Sequence, residues 1–157
     1  MKKSDEVKEW KQRPNTQWAA QYLVAGELAR RNYTVAFTLG NMPSVDLIVT
    51  HLESRRQFFV DVKGLSRKTS WLVELEGKPT VDGLYYILVY AARDRKDDCF
   101  FILTQKEARH LRDKYKKQRG GKGSLNRRGF SGFPFNFPRA FEGCWDHLPP
   151  DSHTPAT

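Results

Sequence analysis

The sequence has few cysteines, no long apolar run and no internal repeat, and each absence excludes a class of protein. Its 157 residues include two cysteines, Cys99 and Cys144, with neither a CxxC partner nor clustered histidines. This spacing argues against a disulfide scaffold and against a zinc finger, so reduced thiols are expected. A chain of this length can bury a core without cross-links, and one principal domain is expected.

Membrane and secretory signals are also missing. No apolar run is long enough to span a bilayer, and residues 1–15 are charged where a signal peptide would be apolar. We therefore expect a cytoplasmic protein with no membrane partner. The composition divides the chain into a polar lead (1–15), a core domain (16–119) and a C-terminal arm rich in glycine, proline and aromatic residues (120–157).

Positive charge is concentrated in one segment. The net charge is +9, and residues 105–128 hold ten Lys or Arg against two acids. Such a block predicts binding to nucleic-acid phosphates, although a solvated helix with a basic tail is the alternative. The residues expected to contact nucleic acid are Arg67, Lys68, Arg109, Arg112, Lys116, Lys117, Arg119, Lys122, Arg127 and Arg128. For Arg67 and Lys68, an ordinary solvated loop is an equal alternative.

Periodicity and turn residues predict an α/β domain. A helix is expected over residues 16–32, capped by Asn15 or Thr16. Runs rich in β-branched and aromatic residues predict three consecutive strands in a meander and then two more. These strands are expected at residues 33–39, 45–51, 57–64, 84–91 and 99–104. A basic helix is expected at 105–119, and residues 65–83 are predicted to be mostly loop.

The arm contains six aromatic residues between Phe130 and Trp145. So many aromatic side chains do not stay fully solvated, so the arm either wraps the core or offers stacking faces to bases. Wrapping is favoured.

The stretch FFVDVKG (58–64) places Asp61 and Lys63 inside an apolar strand. Alternation along a strand directs both side chains to one face, about 7 Å apart. Asp46 opens the preceding strand, and an antiparallel hairpin would bring it to the same end of the ladder as Asp61. Two adjacent carboxylates need compensation, and a divalent cation such as Mg²⁺ supplies it through hard oxygen ligands.

Simpler interpretations exist for each acid taken alone. Asp61 and Lys63 could form an ion pair at a strand end, and Asp46 could cap a turn. Glu27 is a rare charge on the apolar helix, and it could pair with Arg31 one turn later. Together they would require three coincidences in adjacent elements.

These positions resemble the PD-(D/E)xK nuclease superfamily. The resemblance covers residues 16–64, with Glu27 on the helix, Asp46 opening one strand and Asp61-Val62-Lys63 ending the next. It implies a restriction-endonuclease-like fold, in which an N-terminal helix is followed by a three-strand meander within a mixed sheet of about five strands flanked by helices. Two departures stand out: Pro43 does not directly precede Asp46, and residues 65–83 show no clear crossover helix.

The resemblance also implies an activity. It implies phosphodiester hydrolysis with Mg²⁺, or Mn²⁺ in its place, bound by Asp46, Asp61 and the carbonyl of Val62. Lys63 would be the catalytic lysine, and Glu27 an accessory acid acting directly or through water. We expect DNA rather than RNA as substrate, recognised by structure rather than sequence, and the resemblance allows a homodimer. The alternatives are a catalytically silent nucleic-acid-binding or assembly module with the same fold, and a protein-binding domain with a basic face.

Overall fold

The computed structural model describes residues 2–75, 77–121 and 130–149, with side chains from Asn15 onward apart from residues 74, 75 and 130. The protein is α/β, with a central five-stranded mixed sheet and two α-helices. The helices are α1 (Lys2–Ala29) and α2 (Gln105–Gln118). The strands are β1 (Tyr33–Phe37), β2 (Leu47–His51), β3 (Gln57–Leu65), β4 (Ser70–Leu75), β5 (Leu84–Tyr90), β6 (Cys99–Thr104) and β7 (Phe130–Pro134).

The central sheet has the strand order β1-β2-β3-β5-β6. The three-strand meander is confirmed, since β1, β2 and β3 pair antiparallel. β5 runs parallel to β3, and β6 returns antiparallel to β5. Parallel neighbours cannot be joined by a tight turn, so the chain leaves the sheet at the end of β3 and re-enters it at the opposite end, beside the start of β3.

The two faces of the sheet are covered by different elements. Helix α1 packs its apolar side chains against the face that carries Val60 and Val62. Helix α2, β4 and the arm after β7 cover the opposite face, where Phe59 and Tyr86 lie. Because side chains alternate along a strand, Asp61 belongs to this second face, away from α1.

Helix α1 is longer than the sequence predicts. It begins at Lys2, so the predicted cap at Asn15 or Thr16 is wrong and residues 2–15 are the first half of the helix. The helix ends at Ala29, and Asn32 follows with a left-handed φ of 65°.

A strand lies where residues 65–83 are predicted to be mostly loop. β4 pairs antiparallel with β7, forming a two-stranded sheet outside the central one. The two backbones approach so closely that a Cβ at residue 132 would lie 1.7 Å from the carbonyl oxygen of Trp71, so Gly132 is required. No helix occurs in the described residues between β3 and β5, where the nuclease resemblance expects one.

The aromatic arm wraps the core over residues 131–149. Phe133 and Leu148 are fully buried, and Phe135 nearly so. The Trp71 indole donates a hydrogen bond of 3.1 Å to the carbonyl oxygen of Phe135, which fixes the arm against β4. Within the described chain, neither helix combines the length and apolarity that a membrane span requires.

Candidate active site

Asp46 and Asp61 meet where the ladder between β2 and β3 ends. Its last pair is Leu47 with Val60, so the next residues along the two strands are the two acids. The backbone N–H of Asp46 donates to the carbonyl of Val60 at 2.9 Å, which continues the strand up to this point. The carboxylate Oδ2 of Asp46 then accepts the backbone N–H of Val62 at 2.8 Å. The expected meeting of two carboxylates at one end of the ladder is therefore observed.

Asp61 is only 2% exposed and lies between two lysines. The Nζ atom of Lys63 lies 2.6 Å from Oδ1, and that of Lys78 lies 3.7 Å from Oδ2. Oδ2 itself accepts no hydrogen bond from any described group. A buried carboxylate oxygen without a hydrogen-bond donor is costly, even beside an ammonium group, and a metal ion or a bound water would complete its contacts.

Electrostatics at the two acids follow from this packing. Burial raises the pKa of Asp61, against the opposing effect of Lys63 and then Lys78. Burial also raises the pKa of Asp46; the hydrogen bond from Val62 lowers it, and the charge of Asp61 raises it again. The formal charges of the two acids and the two lysines cancel, so the cluster is neutral without an ion. A bound Mg²⁺ would make it positive, which favours the approach of an anionic phosphate.

Lys78 is the residue of this cluster that sequence analysis missed. It lies in the connection before β5, which the sequence marks only as polar, and no spacing rule links it to Asp61. Its ammonium lies 3.3 Å from the hydroxyl of Tyr86. Tyr86 is fully buried, and it is the partner of Asp61 in the register of β3 and β5. Because Lys78 contacts Tyr86, its ammonium also lies beside Asp61.

The carbonyl of Val62 already has one partner. The side-chain amide of Gln17 donates to this oxygen at 2.7 Å and accepts the backbone N–H of Gly64 at 3.2 Å. Gln17 thus joins α1 to the end of β3, a role that the sequence did not reveal because a single glutamine on a helix is unremarkable. A carbonyl oxygen has two lone pairs, so a second partner remains geometrically allowed.

Glu27 does not join the other three residues. Its carboxylate pairs with the guanidinium of Arg31 at 2.5 Å, the simpler alternative considered from sequence. Arg31 in turn lies over the ring of Trp145, 4.3 Å from its centroid. Because α1 covers the face of the sheet opposite to Asp61, the expected role of Glu27 as a ligand or accessory acid is not supported by its position.

The donor set at the ladder end fits a hard cation. Asp46 and Asp61 supply carboxylate oxygens and Val62 a carbonyl oxygen, which are the ligand types that Mg²⁺ prefers, usually with several waters. Oδ2 of Asp61 faces the Lys78 ammonium at 3.7 Å but accepts no hydrogen bond from a described group, so a lone pair remains available for the ion. The residues present therefore fit the ion, with two acids rather than three.

Known proteins offer no closer guide. No family model, no curated protein and no solved structure matches the chain.

A second group of ligand-type side chains lies in the arm. Atoms of Cys144, Asp146 and His147 lie within 4.8 Å of one another. The Cys144 thiol is already directed to the carbonyl of Ala140 at 3.4 Å, and Asp146 is exposed. A softer site of this kind would not suit Mg²⁺.

The basic residues expected to bind nucleic acid have varied surroundings. The ammonium of Lys68 lies over the ring of Tyr90, 5.3 Å from its centroid, and Arg112 pairs with Asp113 at 2.8 Å. Arg109 holds the backbone of residues 78–80 rather than projecting from the surface. Residues with exposed side chains are Arg67, Lys68, Lys117 and Arg119, while Lys116 is half-buried. Lys122, Arg127 and Arg128 lie outside the described residues.

Proposed function

We propose that this protein is a Mg²⁺-dependent nuclease of the PD-(D/E)xK type that hydrolyses phosphodiester bonds in DNA. The observation that carries the proposal is the meeting of Asp46, Asp61 and Lys63 at one end of the β2–β3 ladder. The order of helix, three-strand meander and a strand ending in Asp61-Val62-Lys63 supports a restriction-endonuclease-like fold. The β4–β7 pair in place of a crossover helix and the position of Glu27 are departures from that pattern.

The chain's own groups suit phosphodiester hydrolysis. Bound at the two carboxylates, Mg²⁺ would supply positive charge for the phosphate oxygens and a more acidic water. Asp46 is held in place by the Val62 N–H, so its free oxygen is presented in a fixed direction. Lys63 is 29% exposed at its side chain while bonded to Asp61, so its ammonium can also donate to a phosphate oxygen or orient a water.

The basic surface would bind the nucleic-acid backbone without reading sequence. Arg67 and Lys68 lie shortly after β3, four and five residues beyond Lys63 at the site. Contacts of this type position a duplex but do not specify bases. We propose DNA over RNA, with branches, nicks or ends as preferred targets, and a homodimer as a way to cut two strands.

Cleavage assays test the activity. Purified protein is incubated with plasmid, branched and single-stranded DNA in Mg²⁺ or Mn²⁺, beside Asp61→Ala and Lys63→Ala. Asp113→Ala and Lys96→Ala are matched controls, because both side chains are exposed and neither residue belongs to the β2–β3 ladder that carries the two carboxylates. Loss of cleavage in the first two variants alone supports the enzyme. Cleavage in both of them, or in no sample, rejects it.

A catalytically silent module with the same fold is the second candidate. The observation in its favour is that both oxygens of Asp61 face lysine ammonium groups, while Glu27 is engaged by Arg31. Such a cluster is electrically satisfied without any ion. This candidate predicts DNA binding that does not depend on Mg²⁺ and is unchanged in Asp61→Asn, with no hydrolysis of any substrate.

A further inference from the structure

Two side chains of helix α2 hydrogen-bond to the connection before β5, the segment that carries Lys78. The Gln105 amide accepts the backbone N–H of Val81 at 2.8 Å and donates to the carbonyl of Pro79 at 3.2 Å. The guanidinium of Arg109 donates to the carbonyl of Lys78 at 2.7 Å, to that of Pro79 at 3.0 Å and to the hydroxyl of Thr80 at 2.7 Å. These bonds fix the backbone of residues 78–81 on the first turns of α2.

These hydrogen bonds place the Lys78 ammonium next to the buried carboxylate of Asp61. The Lys78 side chain is 15% exposed, and its Nζ lies 3.7 Å from Asp61 Oδ2. At that distance the two groups form an ion pair without a short hydrogen bond, and the same ammonium lies 3.3 Å from the hydroxyl of Tyr86. Burying most of a lysine is unfavourable unless the charge has a use at that place, either as a counter-ion or toward a ligand.

We propose that Lys78 is a second phosphate-binding residue of the site, beside Lys63, and that Gln105 and Arg109 position it. The nature of the ligand rests on the proposed function. A phosphate oxygen beside Asp61 would lie near two ammonium groups, that of Lys63 at the end of β3 and that of Lys78 in the connection before β5. Small side-chain movements would bring either one into contact with it. Arg109, by sequence a candidate for direct contact with nucleic acid, acts instead through Lys78.

Binding of a short DNA duplex in EDTA tests the first half of the proposal without requiring cleavage. Lys78→Gln should weaken binding about 3- to 10-fold and lower the slope of log K against log salt by about 0.9, the change for one lost phosphate contact. The control Lys96→Gln removes an exposed lysine between β5 and β6 and should leave both quantities unchanged. Unchanged affinity and slope in a folded Lys78→Gln overturn the proposal and leave Lys78 as a counter-ion of Asp61.

A double-mutant cycle tests the positioning. Arg109→Gln should weaken DNA binding in the same direction as Lys78→Gln, and the double variant should lose little more, because both changes remove one contact. Additive losses would mean that Arg109 binds phosphate itself, which overturns its positioning role. If Lys78→Gln does not fold, Arg109→Gln and Arg109→Lys are compared instead, because both leave Lys78 and Asp61 in place. Similar losses in the two support the positioning role, since lysine keeps the charge but not the guanidinium that holds residues 78–80. Binding equal to wild type in Arg109→Lys overturns the proposal.

The outcomes separate this inference from the nuclease proposal. Wild type that binds DNA without cutting it, with the predicted loss in Lys78→Gln, supports Lys78 and rejects the enzyme. Wild type that cuts DNA, with kcat and DNA affinity unchanged in Lys78→Gln, supports the enzyme and rejects Lys78. Wild type that does not bind DNA at all rejects both.

Discussion

The carboxylate of Asp46 accepts the backbone N–H of Val62 across the end of the β2–β3 ladder, at 2.8 Å. A side chain thus takes the place that a backbone carbonyl would hold if β2 extended further. The bond ties the acid of one strand to the acid-bearing end of the next, because Val62 lies between Asp61 and Lys63. Asp46 therefore has a structural role in addition to its proposed chemical one.

Two substitutions separate these roles of Asp46. Asp46→Asn keeps an oxygen acceptor for Val62, so its free energy of unfolding should stay within about 1 kcal/mol of wild type. Asp46→Ala leaves the N–H of buried Val62 without that acceptor and should cost about 1–3 kcal/mol. Urea unfolding in EDTA measures both, and an alanine variant as stable as wild type would contradict the bond's importance. Both variants should lose cleavage, because each removes the carboxylate.

The contact between α1 and the end of β3 leaves no room for a side chain at Gly64. An added Cβ would lie 2.8 Å from that of Ala20 and 3.0 Å from the carbonyl oxygen of Thr16. Gly64→Ala should therefore destabilise the fold by about 1–3 kcal/mol, as overpacking does. It should also reduce cleavage by shifting the neighbouring Lys63.

Gly26→Ala is the matched control on the same helix. A Cβ there would meet nothing within 4 Å, and alanine suits a helix interior better than glycine. This variant should gain about 0.5–1 kcal/mol of stability and retain cleavage. Unfolding by urea compares the pair; equal effects of the two substitutions would show that α1 does not press on Gly64.

Local patterns were enough to find most elements of the central sheet. The strands containing Asp46 and Asp61 border short turns, and alternation within FFVDVKG sets the face of each side chain, so the hairpin and its carboxylate pair could be predicted. The β4–β7 pair could not, because its strands are joined only by contacts between distant parts of the chain, and β propensity depends on such context. The expected loop at residues 65–83 conceals a strand for this reason.

Of the two lysines beside Asp61, one could be predicted from the sequence and the other could not. Lys63 follows from its spacing to Asp61, two residues along one strand. Lys78 comes from another segment. Its position depends on the hydrogen bond from Arg109 to its carbonyl and on the parallel pairing of β3 with β5. Glu27 matches a family position in sequence order, while in the structure its carboxylate pairs with Arg31 four residues later.

The position of Glu27 leads to a direct test. Glu27→Gln removes a partly exposed ion pair between residues four apart at the end of α1, a change worth about 0.3–0.5 kcal/mol, and should leave cleavage as in wild type. Gln17→Ala should reduce cleavage more, because it frees the Val62 carbonyl and the Gly64 N–H at the site. Rates measured side by side decide between them. A Glu27→Gln variant as inactive as Asp61→Ala would restore Glu27 to the site.

Stability should depend on pH through Asp61. Burial raises the pKa of this carboxyl above 3.8, its ordinary value, so the folded protein holds the proton more tightly than the unfolded chain. Its contribution to the free energy of unfolding is therefore complete below the ordinary pKa and is lost as pH rises through the raised one. Asp61→Asn has no such proton, so the stability of this variant relative to wild type should increase with pH across that window.

Urea unfolding in EDTA at intervals from about pH 4 to about pH 8 measures this difference. Asp113→Asn removes an exposed carboxylate, 62% accessible at its side chain, and should show no comparable trend. A difference between Asp61→Asn and wild type that shrinks with rising pH would contradict burial as the dominant influence on Asp61. Saturating Mg²⁺ should reverse the trend for wild type, because cation binding requires ionised carboxylates and so stabilises the folded protein as pH rises.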